Sequence, residues 1–166
     1  MPPETPEFSR PLALGRVGPE GRQESLQASE AERSALARRF GILGIESLHA
    51  ALRLEPEPDG AVRVAGRLDA AVTQACVVTL EPVAQRVVEE FAVRLLPAGR
   101  ELGDGPDDLD EIETENDVAD LGEVVAEQLA LGLDPYPRVA GAELPAEAKD
   151  ETEGAFAALA ALRRKD

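Results

Sequence analysis

The chain contains 166 residues, of which 43% are hydrophobic, and this composition suits a single domain with a proper core. No window approaches the roughly 18 apolar residues that a membrane-spanning helix needs, and the N-terminus lacks the basic and apolar regions of a secretory signal. One cysteine excludes an intrachain disulfide framework and suits a reducing compartment, so we expect a cytoplasmic protein with no membrane contact.

The net charge of −16 is concentrated in the C-terminal part of the chain. Residues 1–100 carry 12 basic and 14 acidic side chains, whereas residues 101–166 carry 5 and 19, and no Lys or Arg occurs from Glu101 to Pro137. We therefore predict one domain in four parts. These are a β-rich body (1–97), an acidic mobile loop (98–118), a helix with a Pro-rich segment packed on the body (119–140), and a polar tail ending in a short apolar helix (141–166).

The N-terminal part of the body predicts a strand and then a helix. Glu7–Gly18 mixes short apolar runs with a proline, which is typical of an edge strand, and the ten residues from Gly18 onward are turn-rich. A short helix is predicted at residues 29–40, because Ser29 can cap it, Glu32 occupies the capping-box position and Gly41 follows as the stop.

Three consecutive segments alternate apolar and polar side chains, which predicts an antiparallel β-meander with one wet face. They lie at residues 47–55, 61–74 and 83–97. Asp59 and Gly60 form a turn signal between the first two segments. Together with the edge strand, the short helix and a longer helix packed on the sheet, this pattern predicts an α+β fold.

Five arginines on the polar face of the meander allow two interpretations. In the first they form ion pairs with Glu55, Asp69 and Glu90 on a solvated face. In the second they form a positive patch that contacts RNA. Strong nucleic-acid binding is not expected, because the chain offers no Trp, one Tyr and four Phe for base stacking. The arginines are Arg53, Arg63, Arg67, Arg86 and Arg94.

The only cysteine, Cys76, lies in "QACVVTLEPV" at the predicted end of a strand. Zinc needs about four Cys or His ligands, or three and a water, and His49 is the only other candidate. A catalytic thiol needs a nearby base and a positive environment, which the sequence does not show. We interpret Cys76 as a structural residue, and we expect no catalytic residue, metal or cofactor. An enzyme that uses Cys76 and His49 is the least favoured alternative.

The acidic stretch at residues 98–118 is rich in Gly and Pro and poor in apolar side chains, which favours a loop. One interpretation is a solubilising linker. The other is a contact surface for a basic partner, attracted over a Debye length of roughly 8 Å. The acidic spacing does not match an EF-hand, so at most weak cation binding is expected.

The segment "DLGEVVAEQLALGLDPYPR" predicts the longer helix. Asp120 is a candidate N-cap, with Glu123 at the capping-box position. An apolar stripe at helical spacing should lie over the dry face of the sheet. The stripe consists of Leu121, Val124, Val125 and Leu129. A second stripe, near the end of the tail, consists of Phe156, Leu159 and Leu162.

Three separated motifs, "CVVTLEPV", "DLGEVVAEQLALGLDPYPR" and "FAALAAL", occur in an order that resembles the YceD family over about residues 8–162. Many members carry C-x-x-C at the strand end, whereas this chain has Cys76 and Thr79. The missing pair removes a potential metal or redox site, so both positions are interpreted as structural. The resemblance implies a non-enzymatic role in ribosome biogenesis, supporting accumulation of large-subunit ribosomal RNA.

The acidic stretch and the resemblance together suggest a partner. It would be a basic ribosomal protein or a large-subunit ribosomal precursor, with "DPYPR" as a rigid docking edge. The alternative is an RNA-binding module that uses the arginine face. Candidate partner contacts are Asp107, Asp108, Asp110, Glu111, Glu113, Glu115, Asp117, Asp134, Tyr136 and Arg138.

Overall fold

A computed structural model describes residues 6–103 and 109–143 of the chain. Seven strands and two helices make up the described part, which confirms the α+β class. In chain order they are β1 (Pro11–Ala13), β2 (Arg22–Gln27), α1 (Glu30–Phe40), β3 (Gly44–Pro56), β4 (Val62–Ala75), β5 (Pro82–Leu96), β6 (Asp110–Glu113), β7 (Val118–Asp120) and α2 (Leu121–Gly132). A single 3-10 turn, Leu14–Arg16, follows β1.

The main sheet has five strands in the order β2-β3-β4-β5-β6. Strands β2 to β5 pair antiparallel with their neighbours, but β6 pairs parallel to β5. The sheet is therefore mixed: β3, β4 and β5 pair antiparallel, as predicted for the three alternating segments, but the parallel strand β6 was not predicted. Residues 98–118 are likewise not all loop, because Asp110–Glu113 form β6.

The N-terminal strand differs from its prediction in length and in partner. Only Pro11–Ala13 is extended, and it pairs with β7 in a separate two-stranded sheet. One edge of the main sheet, the edge opposite β6, is formed by β2. The residues of β2 were predicted to form turns. Its backbone pairs along β3 and its Leu26 side chain is buried, so tertiary pairing overrides the local turn preference.

Helix α1 begins and ends as its sequence predicts. The Ser29 hydroxyl accepts the Glu32 N–H, and the Glu32 carboxylate accepts the Ser29 N–H at 2.8 Å, which closes the capping box. Gly41 ends the helix in the left-handed conformation, with φ of 65°.

Helix α2 is capped by Asp120, whose carboxylate accepts the N–H groups of Gly122 and Glu123. The same carboxylate accepts the Arg10 N–H at 2.7 Å, so it also ties the N-terminal segment to the helix. Glu123 does not serve as a capping-box partner. Both of its oxygens instead accept from the Arg39 guanidinium, at 2.6 and 2.9 Å, which links α2 to α1.

The core lies between one face of the sheet and both helices. The inward side chains of β3, β4 and β5 form one buried cluster with Leu36 of α1. The predicted stripe of α2 is buried in the same cluster. Its members are Leu121, Val124, Val125 and Leu129. The predicted apolar helix of the tail lies outside the described residues.

Candidate partner-binding surface

The acidic stretch has exposed carboxylates on and beside β6. Asp110, Glu113, Glu115 and Asp117 are exposed, and the first three form no ion pair with any described residue. Asp117 accepts the Ala98 N–H at 2.7 Å, so it also ties the residues that follow β5 to the turn before β7. The predicted contacts Asp107 and Asp108 lie outside the described residues.

Glu111 differs from the other carboxylates because it lies beside Arg94 and is shielded from solvent. Its side chain is only 9% exposed and pairs with the Arg94 guanidinium at 2.8 Å. A hydrogen bond from the Gly103 N–H, followed by the one from Arg94, lowers the pKa of Glu111. Arg94 also pairs with Glu57 and Asp59, so it holds β6 to the β3–β4 turn. Glu111 and Arg94 are therefore both engaged in ion pairs within the fold.

The remaining arginines of the outer sheet face are mostly paired, as the first interpretation predicted. Arg53 pairs with Glu55 at 2.7 Å, Arg67 with Glu90 at 2.9 Å, and Arg86 with Asp69 at 2.5 Å. These exposed pairs contribute little to stability, but they largely cancel the positive charge of the face. Arg63 forms no ion pair within the described ranges.

An open groove of about 850 Å³ crosses this outer face. Its floor is formed by small side chains, including Ala51, Ala65 and Ala92, and Arg67 and Glu90 stand at its side. None of its outward side chains is a buried polar group, which a small-molecule site would use to orient its ligand.

Cys76 lies at the opposite end of β5 from β6, where β4 turns into β5. The side chain is fully buried, and its Sγ accepts the N–H groups of Thr79 and Val139, each at 3.5 Å. The hydrogen bond from the Thr79 side chain contributes most to lowering the pKa of this thiol to about 7, while burial acts in the opposite direction. His49 is exposed on the outer face, so the sheet separates it from the thiol.

The predicted docking edge, residues 134–138, is anchored on this same end of the sheet. Gln85 binds the carbonyl of Gly132 at 3.3 Å and the N–H of Asp134 at 3.2 Å. Gln74 donates to the Asp134 carbonyl at 3.0 Å, and the Val77 N–H donates to Pro137 at 2.9 Å. These contacts hold Asp134, Tyr136 and Arg138 exposed on a rigid segment.

The predicted contact residues therefore fall into two separate groups. Asp134 is bound by Gln85, near the start of β5, whereas β6 lies opposite Leu95, near its end. Ten residues of strand, or about 33 Å, separate these points. The sequence did not single out Gln74 and Gln85. Gln74 continues the inward alternation of Val72, and a polar residue at such a position is a signal that could have been noticed.

The features above define a small α+β protein built on one mixed sheet with both helices on its buried face. A family model described as "Large ribosomal RNA subunit accumulation protein YceD" matches residues 64–163, more than half of the chain. The chain therefore belongs to the YceD family, which confirms the resemblance. No curated protein and no solved structure matches it.

Within the described ranges, neither helix has the length and apolarity to cross a bilayer, and no three His, Cys, Asp or Glu side chains group as metal ligands.

Proposed function

We propose that the protein is a non-enzymatic cytoplasmic factor that binds a basic ribosomal protein, free or within a large-subunit precursor. Membership of the YceD family implies a role in accumulation of large ribosomal RNA, and hence in ribosome biogenesis. The proposal adds that the protein acts by protein–protein contact at its acidic edge. This edge consists of the exposed carboxylates of Asp110, Glu113 and Glu115, on and beside β6.

The observation that carries this proposal is the contrast between the two charged surfaces. The outer-face arginines are mostly paired with carboxylates, whereas Asp110, Glu113 and Glu115 are exposed without a described ion pair. An uncompensated negative edge attracts a cationic protein and repels RNA phosphates. Ribosomal proteins are small and basic, so an acidic partner could shield one until it meets RNA.

The experiment compares two double variants that remove the same charge. Asp110→Asn with Glu113→Gln neutralises the edge, and Glu20→Gln with Glu30→Gln neutralises two exposed carboxylates elsewhere. The binding partner is the protein extracted from purified large ribosomal subunits, applied at about 50 mM and about 300 mM salt. We expect the edge variant to bind several-fold more weakly at low salt, with the control unchanged. Equal binding by all three proteins would contradict the edge contact.

The non-enzymatic part of the proposal is supported by the surroundings of the thiol. Cys76 is fully buried, and His49 lies on the other face of the sheet, so His49 cannot act as a base for this thiol. In cells that depend on this protein, His49→Ala should leave large-subunit ribosomal RNA at its normal level. A marked fall with normal protein abundance would show that His49 takes part in the function and would contradict this expectation.

A further inference from the structure

Exposed apolar side chains are concentrated at the end of the sheet that lies farthest from β6. We call the set Val77, Leu80, Leu131 and Tyr136 the end surface; their exposed fractions are 49%, 76%, 76% and 72%. Val77 and Leu80 belong to the β4–β5 turn, while Leu131 and Tyr136 flank the segment that Gln85 and Gln74 anchor. Single exposed apolar residues are ordinary, but a concentration of them indicates an interaction site.

The end surface is held in place by the backbone. The Cys76 N–H donates to Glu81 at 2.8 Å and the Leu80 N–H to Cys76 at 3.0 Å, which closes the turn. The Val77 N–H and the Cys76 sulfur join this turn to residues 137 and 139. A surface that is already ordered loses little conformational entropy when a partner binds.

Leu80 carries the strongest indication of a function beyond folding. Its φ of 63° lies in the left-handed region, which disfavours Leu and suits Gly or Asn. Its side chain is 76% exposed, so the fold gains almost no burial in return. A large apolar group is therefore presented to solvent at a backbone position where folding alone would favour a smaller polar residue.

The charges around the end surface indicate the chemistry of its partner. Exposed carboxylates lie on the elements that form it, and Arg138 is the only Lys or Arg among the described residues from Glu101 onward. The carboxylates are those of Glu81, Asp134, Glu89 and Glu127. Such a rim repels nucleic acid and attracts a protein segment whose apolar side chains are flanked by Lys or Arg.

We propose that the end surface docks a cationic amphipathic segment of a protein, with Leu80 and Tyr136 as its main apolar contacts. This inference rests on the proposed function, because it assigns a second contact, about 33 Å from the acidic edge, to the same class of basic partner. Tyr is enriched among the residues that dominate binding energy, and its ring is presented on a rigid segment.

The test uses the full chain and, as its probe, the protein extracted from purified large ribosomal subunits, with each retained component identified. Leu80→Asn and Tyr136→Ser remove the proposed contacts. Leu102→Asn is the matched control, because Leu102 is 52% exposed at the other end of the sheet. We expect each test variant to bind about tenfold more weakly. The loss should persist at about 300 mM salt, where the contribution of the acidic edge is screened.

Thermal unfolding separates this effect from misfolding. Leu80→Asn places a residue that tolerates positive φ in the turn, so its melting temperature should equal or exceed that of the wild type. If both test variants bind like Leu102→Asn while the wild type retains ribosomal proteins, the end-surface proposal is overturned and the proposed function stands. If the wild type retains no ribosomal protein at about 50 mM salt, the proposed function fails and this inference fails with it. In a parallel arm that uses ribosomal RNA from the same subunits as the probe, retention by the wild type that is lost in Leu80→Asn would contradict the protein class of the partner.

Discussion

Glu32 takes part in two contacts, of which the local sequence predicts one and not the other. The capping box of α1 follows from residues three positions apart, and it was predicted. The Arg10 guanidinium also binds both Glu32 oxygens, at 2.7 and 3.1 Å, and these residues are 22 positions apart. Nothing in the local sequence predicts that pair, because it depends on how the N-terminal segment lies against α1.

We expect Glu32→Gln to lower the free energy of unfolding by about 1–2 kcal/mol at pH 7, since Gln can still cap but cannot pair ionically. The hydrogen bond from Arg10 is the main cause that lowers the pKa of Glu32 from 4.5 to about 2. A carboxylate with a lowered folded-state pKa stabilises fully above the unfolded value and loses this effect as pH falls. The difference between wild type and variant should therefore shrink from about pH 4.5 to about pH 2 in denaturant titrations. Glu30→Gln is the matched control: Glu30 forms no ion pair among the described residues, so its substitution should change the free energy of unfolding at pH 7 by less than about 0.5 kcal/mol.

The sequence leaves the chemistry of Cys76 open, whereas the surroundings of its side chain indicate a structural role. Its sulfur bonds the backbone of Val139, 63 positions away, so no local pattern reveals the contact. The prediction that it is structural agrees with full burial and two N–H···S contacts.

The thiol should react slowly despite a pKa of about 7. Burial blocks access, so reaction with a disulfide reagent at pH 8 should be at least about a hundredfold slower in the native protein than in the denatured one. The rate should rise when mild denaturant opens the fold. A native rate close to that of the denatured chain would show that the site is open and would revive a reactive role.

The elements differ in how well the sequence predicts them, and the difference follows from the range of their contacts. Both helices carry local capping residues, α2 also carries an apolar stripe, and both helices occur where those signals lie. Strands β2 and β6 lack a clear alternation and owe their extended backbone to pairing with β3 and β5. The parallel register of β6 also depends on Arg94 meeting Glu111. Such pairing is invisible in one sequence.

The close packing of α2 against the N-terminal segment can be tested by substituting Gly122. On helix propensity alone, Gly122→Ala should stabilise α2 by about 1 kcal/mol. A Cβ at this position, however, would lie 2.2 Å from the Phe8 carbonyl oxygen, so the N-terminal segment must move away. We expect a loss of at least about 2 kcal/mol in denaturant unfolding. Gly15→Ala, where a Cβ meets nothing within 4 Å, should stay within about 0.5 kcal/mol of wild type. A stabilised Gly122→Ala would contradict the close approach of Phe8.

On the scale of the whole molecule, the family match covers only part of the folded unit. It begins at residue 64, inside β4, whereas β3 pairs with nearly the whole length of β4. Helix α1 and the inward residues of β3 belong to the same core as α2. The matched segment is therefore not a separate domain.

A fragment of residues 64–166 should consequently fail to fold. It lacks the strands that cover one edge of β4 and leaves apolar side chains such as Leu68 and Val72 without part of their cover. We expect poor dispersion in its NMR spectrum and no cooperative unfolding transition, in contrast to the full chain. A cooperative transition in the fragment would show that β2, β3 and α1 are dispensable.

The length of β5 sets a geometric condition on anything that binds this molecule. A compact domain about 30 Å across that is centred on the acidic edge does not cover the apolar residues at the other end, whereas about ten residues of extended polypeptide can bridge the two. A single flexible chain that engages both would gain from the high effective concentration of its second site once the first is bound. Two individually weak contacts could then retain a long basic tail firmly, and release it when either one is lost.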